Sequence, residues 1–259
     1  MRIPIYQIDA FTDKQFKGNP AAVCPLEKWI DSDLMQSIAA ENNLAETAFF
    51  VKNGNDYELR WFTPKAEIDL CGHATLAAAY VIFTYLDESR MNVKFHTKSG
   101  MLEVSKDRER LTMTFPAREG EKCEAPEALI RGLGKEPKET FLARDYLAVF
   151  ESEQDLLDLE LNMEELKKLD AFGVVATAKG TKSDFASRFF APKAGVDEDP
   201  VTGSAHCTLV PYWKKVLNKK EFTALQLSER GGKLYCEDLG DKVKLSGEAV
   251  AYLEGYIHV

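Results

Sequence analysis

The sequence predicts an α+β protein of two similar lobes related by duplication. Two observations carry this. The stretch "RWFTPKA", Arg60 to Ala66, is nearly repeated as "RFFAPKA", Arg188 to Ala194. Each copy closes an aromatic strand-like run and is followed by a loop, a glycine (Gly72 or Gly203) and an apolar helical pattern. The interval between the copies is too long for a solenoid unit, so it is a whole lobe that recurs.

The elements follow in order. "RIPIYQIDAF" alternates as a strand, and "KGNPAAV" turns into a short second one. "DSDLMQSIAAE" has capping residues and helical spacing, and stops at Asn42-Asn43. "TAFFVK" and "YELRWFTP" are strands joined by the hairpin turn "NGND". "TLAAAYVIFTYL" is apolar on every side, which predicts a buried central helix running to Leu86. Two or three more strands fill residues 92 to 115. "FPAREGEKCEAP" lacks a period and reads as a linker, which sets lobes of 1–116 and 117–259. Beyond it, "APEALIRGLG" and "NMEELKKLD" read as helices, and "YLAVF", "FGVVATA" and "DFASRFFAP" as strands. "GSAHCTLV" matches "GHATLAAA" in position, and Pro211 predicts that this second helix ends or kinks early. The remainder is strand-like.

Composition narrows the function. With 33 basic and 42 acidic residues, the net charge of −9 disfavours nucleic acid and anionic membrane surfaces as partners. The run "KKVLNKK" from Lys214 reads as the solvated face of a helix. Five cysteines without a CxxC pair argue against a disulfide scaffold and a structural zinc site. The N-terminus lacks a signal-peptide core and no run approaches membrane-spanning length, so a soluble cytoplasmic protein is expected. No GxGxxG opens a βαβ unit and no P-loop is present, so no nucleotide cofactor is expected.

The repeat also points to a site. Helix N-termini present unpaired N–H groups and partial positive charge, and Gly72 and Gly203 allow a ligand close approach. If both loops faced one cleft, that space would favour a carboxylate. The acid/base residues differ between the halves. Glu46 borders the apolar run "TAFF" and loses hydration there, which suits a group that holds and releases a proton. It also fits a surface glutamate in a turn. Counting the same fourteen residues back from Arg188 reaches Val174. His73 follows Gly72 at a helix start, where the dipole favours a neutral ring; a capping or core histidine is the alternative. Its counterpart is Ser204, which could cap its helix or bind substrate. Asp199 is the acid nearest Gly203 in "VDEDPVTGSAH", and could handle a proton or belong to an acidic surface loop. His206 reads as packed in its helix, and His96 and His258 have no visible partner. No histidine pair has zinc-motif spacing, so no metal is expected.

The blocks "GNPAAV", "NLAETAFF", "RWFTPKAEIDLCGHAT" and "DEDPVTGSAH" occur in family order, and in them the chain resembles the phenazine-biosynthesis PhzF-like family. The resemblance implies a diaminopimelate-epimerase-like fold. Each lobe is then a curved, mostly antiparallel, barrel-like sheet around one central helix, the lobes are related by a pseudo-twofold axis, and the last strand returns to the first lobe. It implies a homodimeric, cofactor-independent and metal-free isomerase that moves a proton within a small, cyclic carboxylate. By motif position it assigns catalysis to Glu46, His73, Asp199 and Ser204, and substrate binding to Gly18, Asn19, Gly72, Ala74, Thr202 and Gly203. Two other readings remain. An amino-acid racemase or epimerase would use a cysteine from each half, but Thr202 stands where Cys71 would require its match, and Cys207 lies inside a helix. Both cysteines otherwise read as buried small hydrophobes. A carboxylate-binding protein without turnover is the third.

Overall fold

In the computed structural model, which describes residues 1–259, the chain forms two units: Met1–Met113 with Ser246–Val259, and Thr114–Leu245. The first contains β1 (Arg2–Ala10), β2 (Asn19–Leu26), α1 (Ser32–Asn42), β3 (Glu46–Asn53), β4 (Asp56–Phe62), β5 (Glu67–Ile68), α2 (Gly72–Val81), β6 (Asn92–Thr97) and β7 (Gly100–Asp107). The chain leaves this unit within β8 (Arg110–Pro116). The second contains β9 (Glu121–Cys123), α3 (Glu127–Leu133), β10 (Glu139–Leu142), β11 (Tyr146–Val149), α4 (Glu153–Leu157), α5 (Met163–Leu166), β12 (Val174–Lys179), β13 (Phe185–Phe190), α6 (Gly203–Leu217), β14 (Glu221–Gln226) and β15 (Gly232–Asp238). The chain returns to the first unit within β16 (Lys242–Gly247) and ends in β17 (Ala249–His258).

The strands of each unit pair mostly antiparallel, within a sheet that is curved and unclosed. The ladders repeat the same plan. In the first unit β2 runs parallel to β3, β3 antiparallel to β4, and β4 parallel to β6. In the second, β11 runs parallel to β12, β12 antiparallel to β13, and β13 parallel to β14. A parallel pair needs a crossover. The first crossover is α1 in one unit and α4–α5 in the other; the second is α2 in one and α6 in the other. β17 pairs antiparallel with β1 along nearly its whole length, with a register shift between Gln7 and Ile8.

The all-round apolar pattern of α2 is explained by its burial: Ala74, Leu76, Ala77, Ala78, Ala79 and Val81 are all buried. The α-helix stops at Val81 and a π-helical turn carries on over Ile82–Leu86, closed by Asp87 N–H donating to Ile82 O at 2.8 Å. That turn places Tyr85 against Tyr6, 4.8 Å between ring centroids. Pro211 does not end α6, which continues to Leu217. A proline at this position cannot donate to the carbonyl four residues back, Cys207 O. The Arg118 N–H takes that acceptor instead, at 2.9 Å. In the same region, the segment read as a linker contains a short strand, since Glu121–Cys123 forms β9 and pairs with β10, and the units divide just before it, between Met113 and Thr114. The basic run ends α6 as a charged face, with Lys214 on Asp238 (2.6 Å) and Lys219 on Asp184 (2.6 Å). No helix is long and apolar enough to cross a membrane.

The repeated arginine has the same task in both units. Arg60 on β4 grips Glu67 through Nε (2.8 Å) and Nη2 (3.0 Å). Arg188 on β13 grips Glu198 through Nε (2.8 Å) and Nη2 (2.9 Å). Each guanidinium also reaches the first crossover helix, Arg60 to Ser32 Oγ (2.9 Å) and Arg188 to Leu156 O (2.8 Å). Each lies over the second aromatic of its own motif, Phe62 at 5.2 Å and Phe190 at 5.1 Å. The fork from Arg60, joined by Lys98, holds the Glu67 carboxyl down at about 2. A carboxylate whose pKa is lower in the folded state stabilises the fold above its unfolded pKa, and this is lost as pH falls through the folded one. Wild type should therefore exceed Glu67→Gln in urea midpoint at neutral pH. The gap should close as pH falls from about 5 to about 2, read by circular dichroism.

Candidate functional site

The first set of groups gathers at the start of α2. β3 opens on Glu46, which pairs in register with Ala21 of β2. Cys71 is the N-cap of α2, in extended conformation, and makes no side-chain cap to the helix. Its side chain instead meets His73, with Sγ 3.5 Å from Nδ1. The other ring nitrogen, Nε2, lies 3.1 Å from Glu46 Oε2, and these side chains are only 7% and 14% exposed. One imidazole thus bridges a thiol and a carboxylate. Burial alone would push the ring's pKa down, but the Cys71 sulfur and the Glu46 carboxylate outweigh it and hold His73 well above its usual range. This direction runs against the neutral ring expected at a helix start. Burial, then the Glu46 charge, pushes the Cys71 thiol up, which favours the protonated thiol.

Glu46, Cys71 and His73 are all metal-ligand types, and their ligand atoms lie within 4.8 Å of one another. Sγ lies 3.5 Å from Nδ1 and Oε2 lies 3.1 Å from Nε2, and a ring offers a single metal only one of its nitrogens.

The second set gathers at the start of α6. Its N-cap is Thr202, the position that Cys71 holds in α2, and again the cap side chain makes no hydrogen bond to the helix. Thr202 Oγ1 donates to Asp199 Oδ2 instead. Gln226 of β14 locks this corner. Its Oε1 accepts the Thr202 N–H (2.8 Å), while Nε2 donates to Asp199 O (2.7 Å) and Thr202 Oγ1 (3.1 Å). Ser204 Oγ accepts from Arg144 Nη2 at 3.1 Å. Arg144 is anchored on the buried Asp145 (2.9 Å) and backed by Phe172, with 33% of its side chain exposed. His206 is fully buried, with Nδ1 2.9 Å from Thr202 O, and burial pushes it down to about 4, so it is neutral at physiological pH.

The structure thus brings Glu46 and His73 together in one unit, and Asp199, Thr202 and Ser204 around the α6 start in the other. Gly72 and Gly203 open their helices, and Ala74 is buried in the first turn of α2. Gly18 has a purely structural reason to be glycine. Its φ is +64°, and a Cβ would lie 2.2 Å from Ala10 O. Asn19, buried at the start of β2, pairs with Ala10. The equivalence of Glu46 with Val174 slips by one. The ladders match Phe49 to Arg60 and Ala176 to Arg188, so Glu46 corresponds to Gly173, because the β12–β13 connection is longer than the Gly54-Asn55 turn. His96 does have a partner, Asp56 Oδ2 at 3.1 Å.

Sequence reading weighed Cys71, by its place one before the helix glycine, only as a racemase thiol or a buried small hydrophobe, and it missed Arg144 and Gln226. Gln226 and Arg144 meet α6 only through the fold and carry no periodic mark. Gln226→Leu should leave the buried Thr202 N–H without its acceptor and cost about 1–3 kcal/mol. Chemical denaturation reads the loss, and hydrogen exchange should quicken at Thr202.

Comparison with known proteins places these groups in context. The family profile described as phenazine biosynthesis-like protein matches residues 8–255. An uncharacterized isomerase of Pseudomonas aeruginosa is 47% identical over 259 residues, covering 100% of both chains. Another, from Halalkalibacterium halodurans, is 48% identical over 98% of this chain and 97% of its own. A crystal structure of a phenazine biosynthesis protein of the PhzF family from Enterococcus faecalis superposes with a TM-score of 0.98 at 45% identity, over 100% of both chains. A hydroxyproline epimerase from Agrobacterium vitis shares the fold alone, with a TM-score of 0.64 at 9% identity over 99% of this chain and 92% of its own.

Proposed function

The chain belongs to the phenazine biosynthesis-like (PhzF) family, and we propose that it is an isomerase that moves a proton within a small, cyclic carboxylate by general acid/base catalysis, with no cofactor or metal. One observation carries the reading: the buried contact between Glu46 and His73, 3.1 Å, beside a helix start that no side chain caps. The names of the relatives at 47% and 48% identity, both isomerases, support the reaction class.

In this reading Glu46 is the base. His73 Nε2, 3.1 Å from Oε2, holds the carboxylate in place. Glu46 takes a proton from a carbon whose negative charge the substrate's own conjugation spreads, then returns it to another carbon. No electrons leave and nothing else is transferred. The substrate's carboxylate is held by the N–H groups at the start of α2. Thr202 at the α6 cap, where α2 has Cys71, speaks against a racemase with two thiols.

The test is proton NMR in D₂O with a panel of small cyclic and amino carboxylates. New product signals and deuterium at carbon are expected for wild type, and Glu46→Gln should lower the rate by about 10²–10⁴-fold. Full exchange in Glu46→Gln would sink the reading. Exhaustive EDTA treatment should leave the wild-type rate unchanged.

A further inference from the structure

The proposed acid/base chemistry uses Glu46 and His73 and leaves their third neighbour unexplained. Cys71 precedes α2, where a serine, threonine, asparagine or aspartate would cap the helix through its side chain. It makes no such cap. Its sulfur is turned instead onto His73 Nδ1, at 3.5 Å, within reach for a sulfur hydrogen bond. Thr202, at the matching position of α6, is likewise turned from the helix, and donates to Asp199. In both units the cap side chain is thus given to an ionisable neighbour. Glu46 from β3 and Cys71 are the titratable groups that act on the His73 ring. Of the other titratable groups on strands packed around α2, Asp9 accepts the Phe16 N–H at 2.9 Å and Cys24 is a buried thiol.

We propose that Cys71 is a positioning residue for the Glu46–His73 pair: its sulfur occupies Nδ1, commits Nε2 to the Glu46 carboxylate, and holds the ring in place while the carboxylate gains and loses a proton. The inference rests on the acid/base reading of Glu46. Sulfur suits the task because it accepts weakly as well as donates weakly. Toward an imidazolium it accepts the Nδ1–H; toward a neutral ring it donates its S–H to Nδ1, which fixes the tautomer with the proton on Nε2. When Glu46 takes a proton from carbon, its carboxylate becomes a carboxylic acid and its tie to Nε2 weakens. The tie at Nδ1 persists, so the ring is still aimed when the proton is handed back. The thiol itself stays out of the transfer, and no bond to sulfur forms or breaks.

The test does not need the substrate. The chain has four histidines, so the His73 ring nitrogens can be assigned in ¹⁵N-histidine-labelled protein by their loss in His73→Asn. Long-range ¹H–¹⁵N correlation spectra are then followed against pH for wild type, Cys71→Ala and Cys71→Ser. Cys71→Ala is expected to lower the titration midpoint of His73 by about one pH unit, a tenfold loss of proton affinity, and to mix the tautomers of its neutral form. Cys71→Ser, whose hydroxyl can also give and accept, should restore a single tautomer and part of the midpoint. His96, in the same unit and paired with Asp56, should keep its cross-peaks in place in every variant and so report an intact fold. The proposal is overturned if His73 titrates at the same pH and with the same tautomer in all three proteins. It is equally overturned if serine rescues nothing while His96 stays native, since that outcome assigns the thiol a packing role. Failure of the isomerase reading shows separately, as full exchange in Glu46→Gln.

Discussion

In each unit, one guanidinium fork decides where the second crossover helix begins. Arg60 and Arg188 sit on a strand, grip a glutamate in the segment that leads into the helix, and reach back to the first crossover helix. Two parallel charge-assisted hydrogen bonds give this joint direction as well as strength. The aromatic ring beneath each guanidinium shields it from competing water. Without the fork, five residues in one half and eight in the other, "EIDLC" and "GVDEDPVT", would join strand to helix with no fixed path. With it, loops of different length deliver helix starts of the same kind. The conserved scaffold and the divergent chemistry of the two halves follow from that arrangement.

The helix starts are unusual for what they withhold. Neither Cys71 nor Thr202 caps its helix with a side chain. A helix end left this way favours a negatively charged visitor, and the side chains released from capping become neighbours to His73 and Asp199. One local choice, an extended cap residue turned outward, supplies an anion-binding feature and a tuning group together. The position of His73 at the α2 start argues for a neutral ring, yet its neighbours Cys71 and Glu46 raise the ring's pKa.

Much of the fold was legible in the sequence because it is written locally. Alternation marked most of the strands, the all-apolar run of α2 marked a core helix, and the echo of Arg60 in Arg188 marked the duplication. Glu46, His73, Asp199 and Ser204 were legible through short motifs next to those elements. What escaped depends on partners distant in sequence. Pro211 looks like a helix stop until Arg118 is seen filling the vacant acceptor at Cys207. Glu121–Cys123 looks like a linker until β10 offers it a ladder. Arg144 and Gln226 reach α6 only through folding across the sheet, 60 and 24 residues away in sequence from Ser204 and Thr202 respectively. A one-residue slip in the Glu46 equivalence arose because counting along a chain ignores the length of a turn, whereas a ladder does not.

The pairing of β17 with β1 has a consequence for the order of events during synthesis. The Thr114–Leu245 unit is continuous in the chain and can leave the ribosome whole. The other unit cannot: its strand β1 emerges before the Thr114–Leu245 unit and waits for β17, which follows that unit, before the ladder can form. Closing so long a loop is slow compared with forming neighbouring hairpins. Vectorial synthesis therefore favours completion of the later-encoded unit first, while β1 spends translation with one edge open. An unpaired edge is a place where foreign strands attach, so β1 is where this unit most needs protection until β17 arrives.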